Sequence, residues 1–125
     1  MIGPVLDIRD IVHSFDSANQ EQTVLRSISM QLMPAEFVLL SGPSGCGKTT
    51  LLTLIGGLRS IQHGSIKLFG KELYKSDPGK RNSLRSMIGM IFQSHHLISF
   101  LTAEENVVLA MDASAQDSKS KRSKQ

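Results

Sequence analysis

The 125-residue chain is 40% hydrophobic and 20% charged, with a formal net charge of +3. It holds one domain at most, of ordinary globular composition. Much of the positive charge falls in the C-terminal stretch, so the remainder is nearly neutral, which argues against a dominant electrostatic footprint for nucleic acid. The lone cysteine, Cys46, excludes an internal disulfide, and no apolar run approaches the roughly 20 residues that span a bilayer.

The start, Met1-Ile2-Gly3-Pro4, lacks the basic-then-apolar shape of a signal peptide, and a cytoplasmic location is expected. Leu6 to Val12 alternates apolar with polar and reads as a first strand. A polar loop from Asp16 to Gln22 follows, then a second strand on Ile28, Met30 and Leu32. Pro34-Ala35-Glu36 is a turn. Phe37 to Leu40 is a short continuous apolar run, as expected of a strand buried on both faces. Leu51, Leu52, Leu54, Ile55 and Leu58 repeat at helical spacing, and Gly56-Gly57 fits the end of that helix. Ser65 to Phe69, between Gly64 and Gly70, reads as another strand. Asp77 and Pro78 read as the cap and first residue of a short helix over Gly79 to about Ser86. Ile88 to Phe92 is a further expected strand. Thr102-Ala103-Glu104-Glu105 fits a capping box that opens a helix to about Met111. Asp112 to Gln125 has no large apolar residue, so a solvated, flexible tail is expected there; a basic arm for nucleic acid or anionic lipid is the alternative. There is no internal repeat.

Between the apolar run and the first helix lies Gly42-Pro43-Ser44-Gly45-Cys46-Gly47-Lys48-Thr49-Thr50, which fits the phosphate-binding pattern G-x-x-x-x-G-K-[ST]. A glycine-rich turn that opens a helix aims backbone N–H groups at a polyphosphate, and the helix dipole adds to the attraction. Lys48 is expected to reach the β- and γ-phosphates as a point charge, and the Thr49 hydroxyl to bind Mg²⁺. Strand, glycine loop and helix occur in the required order. The bland alternative is a left-handed turn that binds nothing. Cys46 stands in a variable position of the loop and reads as filler, at most an oxidation liability.

Val5 to Met111 resembles the first half of an ABC transporter ATP-binding subunit. The resemblance rests on Ser41-Gly42-Pro43-Ser44-Gly45-Cys46-Gly47-Lys48-Thr49-Thr50-Leu51-Leu52, on Gly56-Gly57-Leu58, on Ile91-Phe92-Gln93 and on Leu101-Thr102-Ala103-Glu104-Glu105-Asn106-Val107. The glycine loop occurs in many NTPases, whereas Gln93 followed by the Leu-Thr-Ala-x-x-Asn-Val segment is far more specific to ABC subunits. Gly56-Gly57-Leu58 and Gln93-Ser94-His95-His96-Leu97 look most like the exporter branch that handles lipids, lipoproteins and macrolides. Within it, the heterocyst glycolipid exporter type is most similar.

That resemblance implies an α/β fold of the P-loop NTPase, ABC ATPase type: the N-terminal portion, with a β-rich subdomain plus the P-loop strand and helix, and an incomplete core sheet. Residues 1–111 would form a partial ATP-binding domain, with 112–125 as the tail. The implied cofactors are ATP and Mg²⁺. Lys48 is the implied catalytic residue, and Gly42 to Thr50 cradle the nucleotide. Gln93 matches the glutamine that helps hold Mg²⁺ and the attacking water, a role its neutral amide oxygen suits; a solvent-facing polar residue is the alternative. Phe15 matches the aromatic that stacks on adenine, where tyrosine is commoner; a core or loop aromatic is the alternative. Ala35 stands where the family has glycine, so a positive φ there would strain it mildly. His95 and His96 lack partners at metal spacing and are expected to face a transmembrane partner rather than zinc. The implied partners are transmembrane permease subunits and a second ATP-binding subunit in a homodimer, with no nucleic acid. The implied location is peripheral, on the inner face of the cell membrane.

The family pattern continues with a signature Leu-Ser-Gly-Gly-Gln segment, a strand ending in aspartate and catalytic glutamate, and a switch histidine. None of these appears in the 125 residues, so a truncated or partial form of a full subunit is expected, with doubtful turnover on its own. Two other functions compete with the transporter reading. One is a nucleotide-binding module without catalysis. The other is a chromosome-maintenance or DNA-repair ATPase, which the near-neutral body and the missing coiled-coil heptads disfavour.

Overall fold

The computed structural model describes residues 3–73, 77–94 and 97–122. His95 and His96 therefore lie outside the described residues. The chain divides into two compact units, Met1–Arg81 and Asn82–Gln125.

The first unit is built on a four-stranded antiparallel sheet in the order β2-β1-β3-β4, from β1 (Leu6–Ser17), β2 (Gln20–Leu32), β3 (His63–Leu68) and β4 (Lys71–Glu72). The β1–β2 hairpin is much longer than the alternation predicts. Its register runs from Leu6↔Leu32 to Ser17↔Gln20, so the polar loop expected at Asp16 to Gln22 is two paired strand ends joined at Ala18-Asn19. The reason is physical: Asp16, Ser17, Gln20, Glu21 and Gln22 are all exposed. Backbone pairing there asks nothing of apolar side chains, and alternation could not reveal it. β3 and β4 are joined by Phe69-Gly70, both at positive φ (50° and 75°), the backbone of a tight I′-type hairpin turn. Ala35 also has positive φ (61°), the strained alanine foreseen for that turn.

The hairpin carries bulges. Its register shifts at three points between Ile8 and Ser14, and Asp10 (φ 48°) and Ser27 (φ 55°) take left-handed backbone there. Side chains secure the irregularity: Ser27 Oγ donates to Asp10 Oδ1 at 3.1 Å, and Asp10 N–H donates to Ser29 Oγ at 2.9 Å. Asp7, buried beside this point, accepts from Arg9 Nη2 at 2.9 Å and from Gln31 Nε2 at 3.2 Å. The Arg9 hydrogen bond holds its carboxyl below the usual carboxylate value against the opposing effect of burial.

The core gathers Leu6, Ile8, Ile11, Leu25, Ile66 and Leu68 from the sheet with Leu51 and Leu54 from helix α1 (Lys48–Ile55). Two expected strands do not form. Phe37–Leu40 and Ile88–Phe92 belong to no sheet among the described residues. Phe37 is 91% exposed and Ile91 fully exposed. A doubly buried strand needs ladder neighbours on both edges, and no described strand pairs with either run. The incomplete core sheet implied by the resemblance is therefore observed among the described residues.

Helix α2 (Pro78–Arg85) begins where Asp77-Pro78 predicts and ends one residue early. In the second unit, helix α3 (Ala103–Arg122) opens on the expected capping box. Thr102 N–H donates to Glu105 Oε2 at 2.7 Å, and Glu105 N–H donates to Thr102 Oγ1 at 3.2 Å. These bonds to Thr102 hold the Glu105 carboxyl below its ordinary value. The helix runs on to Arg122, well past the expected end at Met111. Alanine, glutamine, lysine and arginine there are adequate helix formers even without an apolar stripe. No helix among the described residues is long and apolar enough to cross a membrane.

Asn106 ties the start of α3 to the loop before it. Its Oδ1 accepts from Ile98 N–H at 2.8 Å, and its Nδ2 donates to the carbonyls of Ile98, Leu101 and Thr102 at 3.2, 3.3 and 2.9 Å. Asn106→Ala should cost about 1–2 kcal/mol in this unit. Hydrogen exchange is the direct check: the Ile98 amide should lose protection, and unchanged protection would remove this role from Asn106.

Candidate functional site

The glycine loop takes its shape from residues that tolerate unusual backbone. Gly47 caps α1 at φ 104°, a conformation costly for any side chain. It is also pressed against β2: a Cβ there would meet Leu25 Cδ2 at 2.8 Å and Val24 Cγ1 at 2.9 Å. The loop is thus seated directly on the hairpin. At Gly42 a Cβ would fall 2.7 Å from Cys46 Sγ, a side-chain contact without the positive φ of Gly47.

The opening of α1 is equipped for anions. Its cap has no side-chain hydrogen bond and its first turn has no acidic residue. The first intrahelical bond is Leu51 N–H to Gly47 carbonyl at 2.9 Å, so the amides of Lys48, Thr49 and Thr50 precede the helical ladder. Lys48 curls back over the loop. Its Nζ donates to the carbonyls of Gly42 at 2.6 Å and Pro43 at 2.8 Å, and lies 3.5 Å from Cys46 Sγ. A positive charge, free helix-start amides and a glycine cradle therefore converge. That donor set fits a polyphosphate and would repel a cation. Thr49 is exposed next to Lys48, with its hydroxyl on the same helical turn.

Phe15 lies in the same unit, two residues along β1 from His13, whose partner on β2 is Leu25, the residue under Gly47. At about 3.3 Å per strand residue, the Phe15 backbone lies roughly 7 Å along β1 from His13. Phe15 is half-buried. His13 meets it edge-on, with centroids 4.9 Å apart and planes at 75°, and the Arg59 guanidinium carbon lies 4.9 Å from the ring centroid. Arg59 carries no sequence signal that would have marked it.

His13 is 3% exposed, and its Nδ1 has no hydrogen-bond partner. Burial, and then the charge of Arg59, push its pKa below the ordinary 6.5. The unfolded chain therefore takes up a proton near pH 6.5 that the folded chain refuses. Stability is full above that value and falls as pH drops through the folded pKa. Midpoints of denaturant unfolding against pH should show this decline below 6.5, and His13→Leu should flatten it. An identical slope in the variant would rule His13 out as its source.

Gln93 belongs to the second unit, where it is an exposed residue at a bend that follows residues 88–92. Among the described residues no cluster of three or more His, Cys, Asp or Glu side chains could hold a metal. Any magnesium would come with nucleotide oxygens and a hydroxyl such as that of Thr49.

Comparisons with known proteins agree with this geometry. The ABC transporter family profile matches residues 25–125. HrtA of Staphylococcus haemolyticus, whose name assigns it to hemin import, is 36% identical over 104 residues, covering 83% of this chain and 47% of that protein. The lipoprotein-releasing system ATP-binding protein LolD 1 of Rhodopirellula baltica is 36% identical over 106 residues, covering 84% of this chain and 46% of its own length. The chain thus spans about half the length of the curated relatives it matches. In structure it is similar to the ATP-binding cassette MJ0796, solved as a dimer in a post-hydrolysis state bound to ADP and Pi. The TM-score is 0.78 at 30% identity, over 83% of this chain and 45% of that one. The glycine loop, the helix it opens and the matched sequence together show that the chain belongs to the ABC transporter ATP-binding family.

Proposed function

We propose that the chain binds MgATP as part of an ABC transporter ATPase. The observation that carries this is the Lys48 ammonium, held 2.6 and 2.8 Å from two loop carbonyls over the opening of α1. In this reading the amides of Lys48, Thr49 and Thr50 bind the phosphates together with Gly42, Pro43, Ser44, Gly45, Cys46 and Gly47. Lys48 neutralises charge on the β- and γ-phosphates, and Phe15 stacks on adenine. The Thr49 hydroxyl would help hold magnesium, while the magnesium and water-orienting role of Gln93, a residue of the second unit, is proposed on the sequence resemblance alone. Magnesium, when bound, would supply charge neutralisation during transfer. The residues of this chain bind and position; among the described residues no carboxylate is bonded to the glycine loop.

The partners proposed are transmembrane permease subunits and a second ATP-binding subunit, with the protein peripheral on the inner face of the cell membrane and no nucleic acid bound. The cargo proposed is lipid-like or a lipoprotein. LolD supports export by its name and HrtA supports import by its name, so the cargo rests on Gly56-Gly57-Leu58 and the Gln93–Leu97 segment. Calorimetric titration tests the ligand: MgATP should bind, and adenosine should not bind in the same range. Equal affinity for the two would sink the phosphate reading. Co-purification with a permease that carries a large extracytoplasmic domain tests the exporter assignment.

A further inference from the structure

The connection from α1 to β3 grips the strand that carries Phe15 at two points. Gln62 Oε1 accepts from Ser14 N–H at 2.8 Å, and Gln62 Nε2 donates to the Ser14 carbonyl at 2.9 Å. This amide stands in for a ladder partner where the pairing of β1 with β3 stops, at Val12↔His63. Arg59, three residues earlier, places its guanidinium carbon 4.9 Å from the Phe15 centroid, within cation–π range. His13 contacts the same ring in a T-shaped arrangement. The ring is therefore held by Arg59 over one face and by His13, and the residue before it at both backbone polar groups.

The direction of these contacts matters. β1 lies between β2 and β3. The glycine loop meets the hairpin at Val24 and Leu25 of β2, whereas Arg59 and Gln62 arrive on the connection that enters β3. On the adenine-platform reading, the face of Phe15 not covered by Arg59 is the one that receives the base. A cation over one face also draws π density from the other, which improves that face for stacking an electron-rich purine.

We infer that Arg59 and Gln62 are positioning residues for nucleobase recognition: they hold and polarise Phe15 as a one-faced platform, and so set how much the base adds to phosphate binding. The inference rests on the reading of Phe15 as the adenine platform. The test compares dissociation constants for ATP and for inorganic tripolyphosphate, which lacks a base, in the purified protein and its variants. Arg59→Ala and Gln62→Ala should each weaken ATP about threefold to tenfold and leave tripolyphosphate unchanged. Arg59→Lys, which keeps a cation over the ring, should restore ATP to within about twofold. Phe15→Ala should bring ATP down to the affinity of tripolyphosphate.

If Phe15→Ala removes the advantage of ATP while Arg59→Ala and Gln62→Ala do not, the platform stands and the positioning role is overturned. If Phe15→Ala changes nothing, the platform reading itself fails, and the inference with it. Tighter ATP binding in Arg59→Ala would mean that arginine covers the face the base uses, which also overturns it. Loss of tripolyphosphate binding along with ATP in the arginine and glutamine variants would show a merely structural role. Failure of the unsubstituted protein to bind either ligand would overturn the phosphate site beneath both readings.

Discussion

Lys48→Ala should lower ATP affinity by about 10- to 100-fold, the worth of one charge-assisted hydrogen bond at roughly 1.5–3 kcal/mol, and abolish turnover in the assembled transporter. The geometry explains why the loss exceeds that of an ordinary surface lysine. The ammonium is set against the carbonyls of Gly42 and Pro43 at 2.6 and 2.8 Å. Without it, those two dipoles point their negative ends at a polyphosphate with nothing between them. Lys48→Arg should not rescue, because a planar fork does not fit where a compact charge is held by two carbonyls. The fold should survive, since Lys48 is half-exposed and alanine is a good helix former. The thermal midpoint should therefore stay within about 2 °C while titration with ATP shows the loss. Undiminished ATP hydrolysis in Lys48→Ala would remove Lys48 from the machinery.

Gly64→Ala should cost about 3 kcal/mol or more, a large share of a typical total stability of roughly 5–15 kcal/mol. Gly64 opens β3 at φ 96° and crosses the bulge of β1 at close range. An added Cβ would lie 2.5 Å from both the Arg9 and Asp10 carbonyl oxygens and 2.7 Å from the Asp10 carbonyl carbon. All three atoms are backbone, and β1 cannot retreat because Asp10 N–H is bonded across to Ser29 Oγ at 2.9 Å. Gly70→Ala is the matched control. Its φ is 75°, but nothing lies within 4 Å of the added Cβ, so only backbone strain of about 1–2 kcal/mol applies. Denaturant midpoints of the two variants separate strain from collision. Equal shifts would mean that the bulge yields and that close approach is not what requires glycine at position 64.

Gly64 shows what local pattern conveys and what it does not. As punctuation before Ser65–Phe69 it marked the start of a strand to within two residues of His63. Its reason for being glycine lies in Arg9 and Asp10, far away along the chain. Position 15 behaves similarly. Phe15 was legible as an aromatic at a position that matches the family, while Arg59 and Gln62 were silent, because ordinary polar residues after a helix carry no periodic or compositional signal. Asn106 was read as part of a family segment, yet its four bonds to the 98–102 loop appear only once the chain turns back on itself.

What the sequence determined by itself was everything whose cause lies within a few residues. The phosphate loop, the helix it opens, the Thr102–Glu105 box and the strained turn at Ala35 are each set by a local need for particular φ values, caps or donors. Gly47 accordingly takes left-handed backbone at the cap, and Lys48 opens the helix with its ammonium turned back over the loop. Tertiary structure alone decided the pairing of the elements. It drew the polar residues 16–22 into a hairpin, where backbone partners were at hand. It left Phe37–Leu40 unpaired, because apolar content makes a strand possible but only neighbouring strands can satisfy its amides and carbonyls.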